Sequence, residues 1–182
     1  MPLTTADVGK KTEPYVQTVD ARWVMSYSAS LGDFLPCYMD TRRQERVIAH
    51  PLFPVAVEWE PIMRQSRQHD FLADLLPTER MRGVHGAHDL HIHRSIRAGD
   101  TLSTQITQIG VQKKRAGVIQ ISKLESHNDA GDLVSSTYMQ SLFRNVDLIG
   151  EDLYIESPPP LPEFGGTERT ELEFPIQVRQ GL

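Results

Sequence analysis

The stretch HDLHIHRSIRAGDTLSTQITQIGVQKKRAGVIQISKLESHNDAGDLVSSTYMQSLFR, residues 88–144, decides the fold class. It divides into four runs, HDLHIHRSI (88–96), TLSTQITQI (101–109), GVIQISKLE (117–125) and LVSSTYMQSLFR (133–144). Within them apolar and β-branched residues alternate with polar ones, the period of a half-buried strand. The links RAGD (97–100), QKKRAG (112–117) and HNDAGD (127–132) each set Gly beside Asp, Asn or Lys, which is turn chemistry. The pattern predicts an antiparallel meander with short hairpins.

Upstream the period changes. VAVEWEPIMRQSRQHDFLADLL (55–76) consists mostly of helix formers and sets Trp59, Ile62 and Met63 on one side. Pro61 removes one helical hydrogen bond, so it kinks this helix or marks its true start. Pro51 and Pro54 fit the preceding loop or a first turn, where a missing N–H costs nothing. Earlier still, Asp20 can cap a helix and Gly32 can end it, with Trp23, Val24, Tyr27 and Leu31 sharing a face. Residues 15–19 read as a short strand, and residues 1–13 as polar and loosely held. Beyond the meander, ESPPPLPEFGG (156–166) reads as a stiff linker and ELEFPIQVRQGL (171–182) as one more strand-like alternation. The order strand, helix, helix, four antiparallel strands predicts an α+β domain over residues 1–147, with a linker and extension over 148–182.

The 182 residues suit one domain, and 39% hydrophobic with 24% charged residues is ordinary for a globular protein. A net charge of -5 argues against nucleic acid as a partner and leaves no polybasic membrane anchor. No apolar run reaches the ~18 residues of a membrane span. The N-terminus lacks the apolar core of a secretory signal, so the expected location is cytoplasmic. The single Cys37 excludes an internal disulfide and a cysteine zinc site.

The loop GDFLPCYMD (32–40) carries the candidate chemistry, with Asp33, Pro36, Cys37, Tyr38 and Asp40 in a few residues. Together with VGKKTEPYVQTVDARWVMSYSASLGD (8–33), IAHPLFPV (48–55), VHGAHDLHIHRSIRAGDTL (84–102) and NDAGDLVSSTY (128–138), it resembles the N-terminal half of the MaoC-like acyl dehydratases. The likeness runs over residues 8–144. It implies the hot-dog fold, a long central helix wrapped by a curved antiparallel sheet. It also implies hydration or dehydration of an acyl thioester carried by coenzyme A or acyl-carrier protein, as in fatty acid metabolism, with no cofactor and no metal.

Hydratases of that family carry Asp-x-Asn-Pro-x-His in this loop. Their Asp and His hold and deprotonate water, and backbone N–H groups at the start of the central helix polarise the thioester carbonyl. Here Asp33 and Pro36 match, whereas Leu35 stands in place of Asn and Tyr38 in place of His. A phenol with a reference pKa of about 10 is a poor base at neutral pH. The non-catalytic halves of double hot-dog proteins resemble this chain in carrying Tyr there. Asp33 reads either as a surviving general base or as a turn residue bonding nearby N–H groups. Tyr38 reads either as a group orienting water or a carbonyl, or as an apolar filler.

The resemblance places His50, Pro51 and Phe53 where a thioester carbonyl would meet the central helix, and His85 and Gly86 on a strand bordering the acyl pocket. In a strand, Asp89, His91 and His93 would share one face and His88 the other. Two imidazoles on one strand lack the remaining ligands of a zinc site, so no metal is expected. The cations of QKKRAG read as a solvated turn or as a contact for coenzyme A phosphates. The expected protein is a hydratase/dehydratase subunit that builds the substrate tunnel and interface. It would pair with itself or with a second hot-dog chain supplying the dyad. The alternatives are a self-sufficient homodimeric hydratase using Asp33 and Tyr38, and a non-catalytic acyl-CoA-binding or regulatory module.

Overall fold

The computed structural model describes residues 3–42, 45–68, 72, 75–160, 163, 165–166, 171 and 173, with the backbone alone at 65–68. Helix α1 (Ala21–Ser30) opens on Asp20, whose side chain accepts a hydrogen bond from Trp23 N at 2.7 Å. It closes on Gly32, whose φ of +74° supplies the left-handed turn that ends a helix. A single turn, α2 (Pro36–Met39), follows, then the central helix α3 (Pro54–Gln68) and a turn α4 (Pro77–Arg80). Strand β2 (Tyr15–Thr18) precedes α1, and β3 (Gly83–Ile92), β4 (Thr101–Lys114), β5 (Gly117–Asn128) and β6 (Leu133–Arg144) follow the helices. The main sheet is antiparallel, in the order β2-β4-β5-β6-β3, and wraps α3 in a hot-dog fold.

The meander holds for β4, β5 and β6, but β3 departs from it. It pairs with β6, Asp89 opposite Tyr138, on the far side of the sheet from β4. The segment after it is no hairpin. Residues 93–100 leave the sheet and are bound by other chain segments: Ala49 N donates to Ile96 O at 2.8 Å and Val19 N to Asp100 O at 2.8 Å. The RAGD turn therefore ends a crossover.

The two ends of the described chain also pack more than their polarity suggests. Strand β1 (Leu3–Thr4) pairs in parallel with β7 (Leu148–Ile149), and β8 (Leu153–Tyr154) pairs with β4 at Gly110 and Val111. Leu3 is buried against Leu75, Val111, Val118, Phe143 and Val146, so residues 3–13 are not loosely held. The second, larger core joins Val19, Val24, Phe53, Val57, Leu102 and Val134, with Trp23 and Tyr27 packed against it. Leu31, placed with them by spacing, lies past the end of α1 and is exposed. The run at 171–182 falls almost wholly outside the described residues.

Helix α3 buries Pro54, Val57, Glu58 and Pro61, with Phe53 buried just before it, and turns Trp59 outward, 61% exposed. Trp59, Ile62 and Met63 do share a side, but it is the flank of the buried stripe. The helix continues through Pro61. Proline leaves the carbonyl four residues earlier without its helical donor, and Gln17 Nε2 from β2 donates to that carbonyl, Val57 O, at 2.6 Å. A side chain of the sheet thus replaces the missing bond and ties β2 to the central helix.

Candidate active site

The loop after α1 is built around Asp33. Its N–H donates to Ser28 O at 3.1 Å, its carbonyl accepts from Ser28 Oγ at 2.7 Å, and its Oδ1 accepts from Leu35 N at 3.2 Å. Pro36 then starts α2 at a position where no N–H is needed. Ile48 N donates to Cys37 O at 3.1 Å, which pins the loop to the segment leading into α3. That contact brings His50 to Asp33, with Nε2 3.6 Å from Oδ2. His50 Nδ1 accepts from Leu52 N at 3.1 Å, so in the neutral ring the proton sits on Nε2 and faces Asp33. Asp33 is thereby a turn residue with an imidazole N–H beside it, and His50 presents no free lone pair.

Tyr38 lies 5.5 Å, ring to ring, from His50. Burial, then the neighbouring Cys37 and Asp33, raise its phenol above the ordinary value, so it stays protonated at neutral pH. Pro51 is exposed at the loop, while Phe53 is fully buried in edge-to-face contact with Trp23 (4.9 Å) and Tyr27 (5.4 Å), a core role. The helix start offers few donors. Pro51 and Pro54 have no N–H, Leu52 N is bound to His50 Nδ1, Phe53 N to His50 O, Val55 N to Leu52 O and Ala56 N to Phe53 O.

A larger feature opens at Leu52, two residues beyond His50. A cavity of about 730 Å³ runs from Leu52 and Val55 along Trp59 and Ile62 to Gly83, Val84 and Phe143. Its walls are apolar except at Arg80, His85, His88 and Ser141. His85 is in this wall; Gly86 sits at the β-bulge of β3, where an added Cβ would come within 3.3 Å of Gln140 O. On the opposite face of β3, His91 Nε2 lies 3.2 Å from Asp89 and His93 Nε2 lies 3.0 Å from Ser136 Oγ.

Behind the cavity wall lies a carboxylate that the sequence reading passed over. Glu58 is fully buried. Its Oε1 accepts from Thr137 Oγ1 at 2.6 Å, and its Oε2 faces His88 Nε2 at 3.4 Å. The last two atoms are close but misaligned for a hydrogen bond, and neither has another partner among the described residues. The signal was present: Glu58 falls on the stripe of Phe53, Pro54, Val57 and Pro61, an acid at the helical spacing of a core face.

At the other end of the loop, Arg46, Arg94 and Arg97 line a polar hollow with Asp100 and Asp129, and Arg94 also borders the small cleft at His50. The QKKRAG tip lies at the far end of β4, about 40 Å along the strand from Thr101.

The family described as FAS1-like, dehydratase domain region, matches residues 6–136. No curated protein matches the chain. Among solved structures, the truncated HadBC (3R-hydroxyacyl-ACP dehydratase) complex of Mycobacterium tuberculosis aligns with a TM-score of 0.63 at 15% identity, over 75% of this chain and 96% of that one. The unliganded R-hydratase PhaJ1 of Pseudomonas aeruginosa aligns at 0.57 and 20%, over 91% and 97%. A MaoC-like dehydratase from Phytophthora capsici aligns at 0.66 and 18%, over 86% of this chain and 55% of its own. At these identities the likeness establishes the fold.

Proposed function

Since this chain belongs to the FAS1-like dehydratase-region family and has the hot-dog fold of the MaoC-like hydratases, we propose that it is a subunit of an acyl-thioester hydratase/dehydratase that holds the acyl chain and forms the interface, while a second hot-dog chain supplies the catalytic dyad. The observation that carries this reading is an apolar cavity beside a loop without a base. Tyr38 is held protonated, His50 spends its lone pair on Leu52 N, and the N–H groups opening α3 are bonded within the turn. Hydration needs a base for water and donors for the developing enolate, and this loop supports neither role. The self-sufficient alternative, with Asp33 and Tyr38 as the dyad, draws no support from that geometry.

Pairing fits the surface of the same region. β3 is an edge strand, and Leu52, Trp59, Met81 and Val84 stand exposed around the cavity, the kind of apolar rim a partner covers. Arg94 borders the cleft at His50 and shares a hollow with Arg46 and Arg97; Arg46 and Arg94 pair with Asp100 and Asp132, pairs that the phosphates of a coenzyme A or phosphopantetheine carrier would have to displace. The distant QKKRAG tip suits them less. The test is to assay the purified chain alone for hydration of an enoyl-CoA, in parallel with acyl-CoA binding. Binding without turnover is expected. Turnover at ordinary hydratase rates, abolished by Asp33→Asn, would overturn the reading.

A further inference from the structure

We propose that Glu58 and His88 form a hydroxyl-recognition site inside the cavity, which selects acyl thioesters bearing a hydroxyl several carbons beyond the thioester. The inference rests on the acyl-thioester reading above and adds the substrate class.

The argument begins with the burial of Glu58. A carboxylate removed from water is strongly destabilising unless its oxygens are met. Thr137 meets Oε1, but among the described residues Oε2 has only the Nε2 edge of His88 before it. An ionised Glu58 presents only acceptors to Nε2 at 3.4 Å, so even without an aligned hydrogen bond the electrostatics favour the neutral His88 tautomer with its proton on Nε2. That choice leaves Nδ1 as a lone pair. No hydrogen bond reaches Nδ1 among the described residues, and His88 is part of the cavity wall. A ligand that satisfies it must donate.

The lining that His88 shares includes Val55, Trp59, Ile62, Leu90 and Met139. A plain alkyl chain lying there would strip water from Nδ1 and give nothing back, a loss of roughly tenfold or more in affinity. A ketone fails too, because it brings only acceptors to an acceptor. A hydroxyl donates to Nδ1 and remains compatible with the apolar walls. Its place along the chain follows from the strand and helix spacings. Glu58 is one turn, about 6 Å, up α3 from Pro54. His88 is four residues, about 13 Å, along β3 from Ile92, which borders the cleft at His50. A thioester seated at the 32–40 loop therefore brings carbons well past the β-carbon to the pair.

The test is a binding panel on the full chain by calorimetry, using coenzyme A thioesters of decanoate, 3-hydroxydecanoate, mid-chain hydroxydecanoates and the matching mid-chain ketones. The expected result is at least about tenfold tighter binding of one mid-chain hydroxy thioester than of decanoyl-CoA or the ketone. His88→Phe abolishes the preference. Glu58→Gln turns an amide NH2 toward Nε2, moves the ring proton to Nδ1, and shifts the preference toward the ketone, an effect that mere loosening of the cavity would not produce. The wild-type panel decides the matter even if a variant does not fold. Decanoyl-CoA or the ketone binding as well as the mid-chain hydroxy thioesters, or a preference confined to 3-hydroxydecanoyl-CoA, would overturn the inference alone. Failure of every thioester to bind would refute the acyl-thioester reading and the inference with it.

Discussion

The bond between Gln17 and Val57 O makes a demand on stability that a double-mutant cycle can measure. Pro61 deprives Val57 O of its helical donor, and Gln17 Nε2 supplies a substitute at 2.6 Å. Val57 is buried with the Gln17 side chain in place, and that amide is the donor its carbonyl receives from the sheet. Gln17→Ala therefore removes a hydrogen bond and leaves a buried acceptor unmet, a destabilisation of about 2 kcal/mol. For a chain of this length that is roughly 4–8 °C in Tm. Pro61→Ala restores an N–H at position 61, aimed at Val57 O. In that background the Gln17 side chain has little left to do, and its removal should destabilise by only about 0.5 kcal/mol. Urea denaturation of the wild type, both single variants and the double variant gives the coupling, expected near 1.5 kcal/mol. If Gln17→Ala destabilises equally with Pro61 or Ala at position 61, within about 0.5 kcal/mol, the repair of the helix by the sheet is refuted.

Three further outcomes are open to measurement. Glu156 is half-buried; burial raises its pKa, but hydrogen bonds from Lys123 (3.1 Å) and Tyr138 (2.5 Å) outweigh this and bring it below 4.5. A carboxylate lowered on folding stabilises above its unfolded pKa and loses that contribution as pH falls through the folded value. Wild-type Tm should therefore drop more steeply than that of Glu156→Gln on acidification below 4.5, and parallel curves would count against the linkage. Gly117 opens β5 at φ +142°, where an added Cβ would lie 2.0 Å from Phe143 O. Gly117→Ala should destabilise by roughly 2–4 kcal/mol in urea, because backbone must move. Tyr38→His combined with Leu35→Asn restores the acid–base pair of the loop but not its donors, so no hydratase turnover is expected; a gain of about a hundredfold or more would show that only the base was missing.

Much of the fold was legible because strong periods carry it. The alternation in 101–144 gave β4, β5 and β6, and Asp20 and Gly32 framed α1 to within a residue or two. What alternation does not encode is which strand lies beside which. β3 looks like the first member of the meander, yet it lies beside β6, and the segment whose residues 96 and 100 bond Ala49 and Val19 carries the chain from there across to β4. The burial of Leu3 and the pairing of β1 with β7 escaped for a related reason. Two-residue strands have no period, and their stability comes wholly from tertiary contacts. At the loop, Gly32 and Asp33 announced a turn. The side on which His50 carries its proton depends on a bond to Leu52 N that no spacing reveals.

The chain thus holds two carboxylates of possible chemical interest, and their surroundings separate their roles. Asp33 is half-exposed, and a backbone N–H satisfies it as in an ordinary turn. Such a group needs little from the fold and is well explained by the loop geometry alone. Glu58 is fully buried in the second turn of the central helix, and packing would be as well served there by a leucine or a methionine. Thr137 from β6 and His88 from β3 both turn toward it. Two strands and the helix must hold register for that arrangement to exist, so a one-residue slip in β3 would send His88 to the opposite face. The constraint on the molecule is tightest at the cavity wall. Under the proposed function, selection among acyl chains would belong there, and the 32–40 loop, short of a base and of free donors, would keep the shape of a site whose chemistry a partner chain completes.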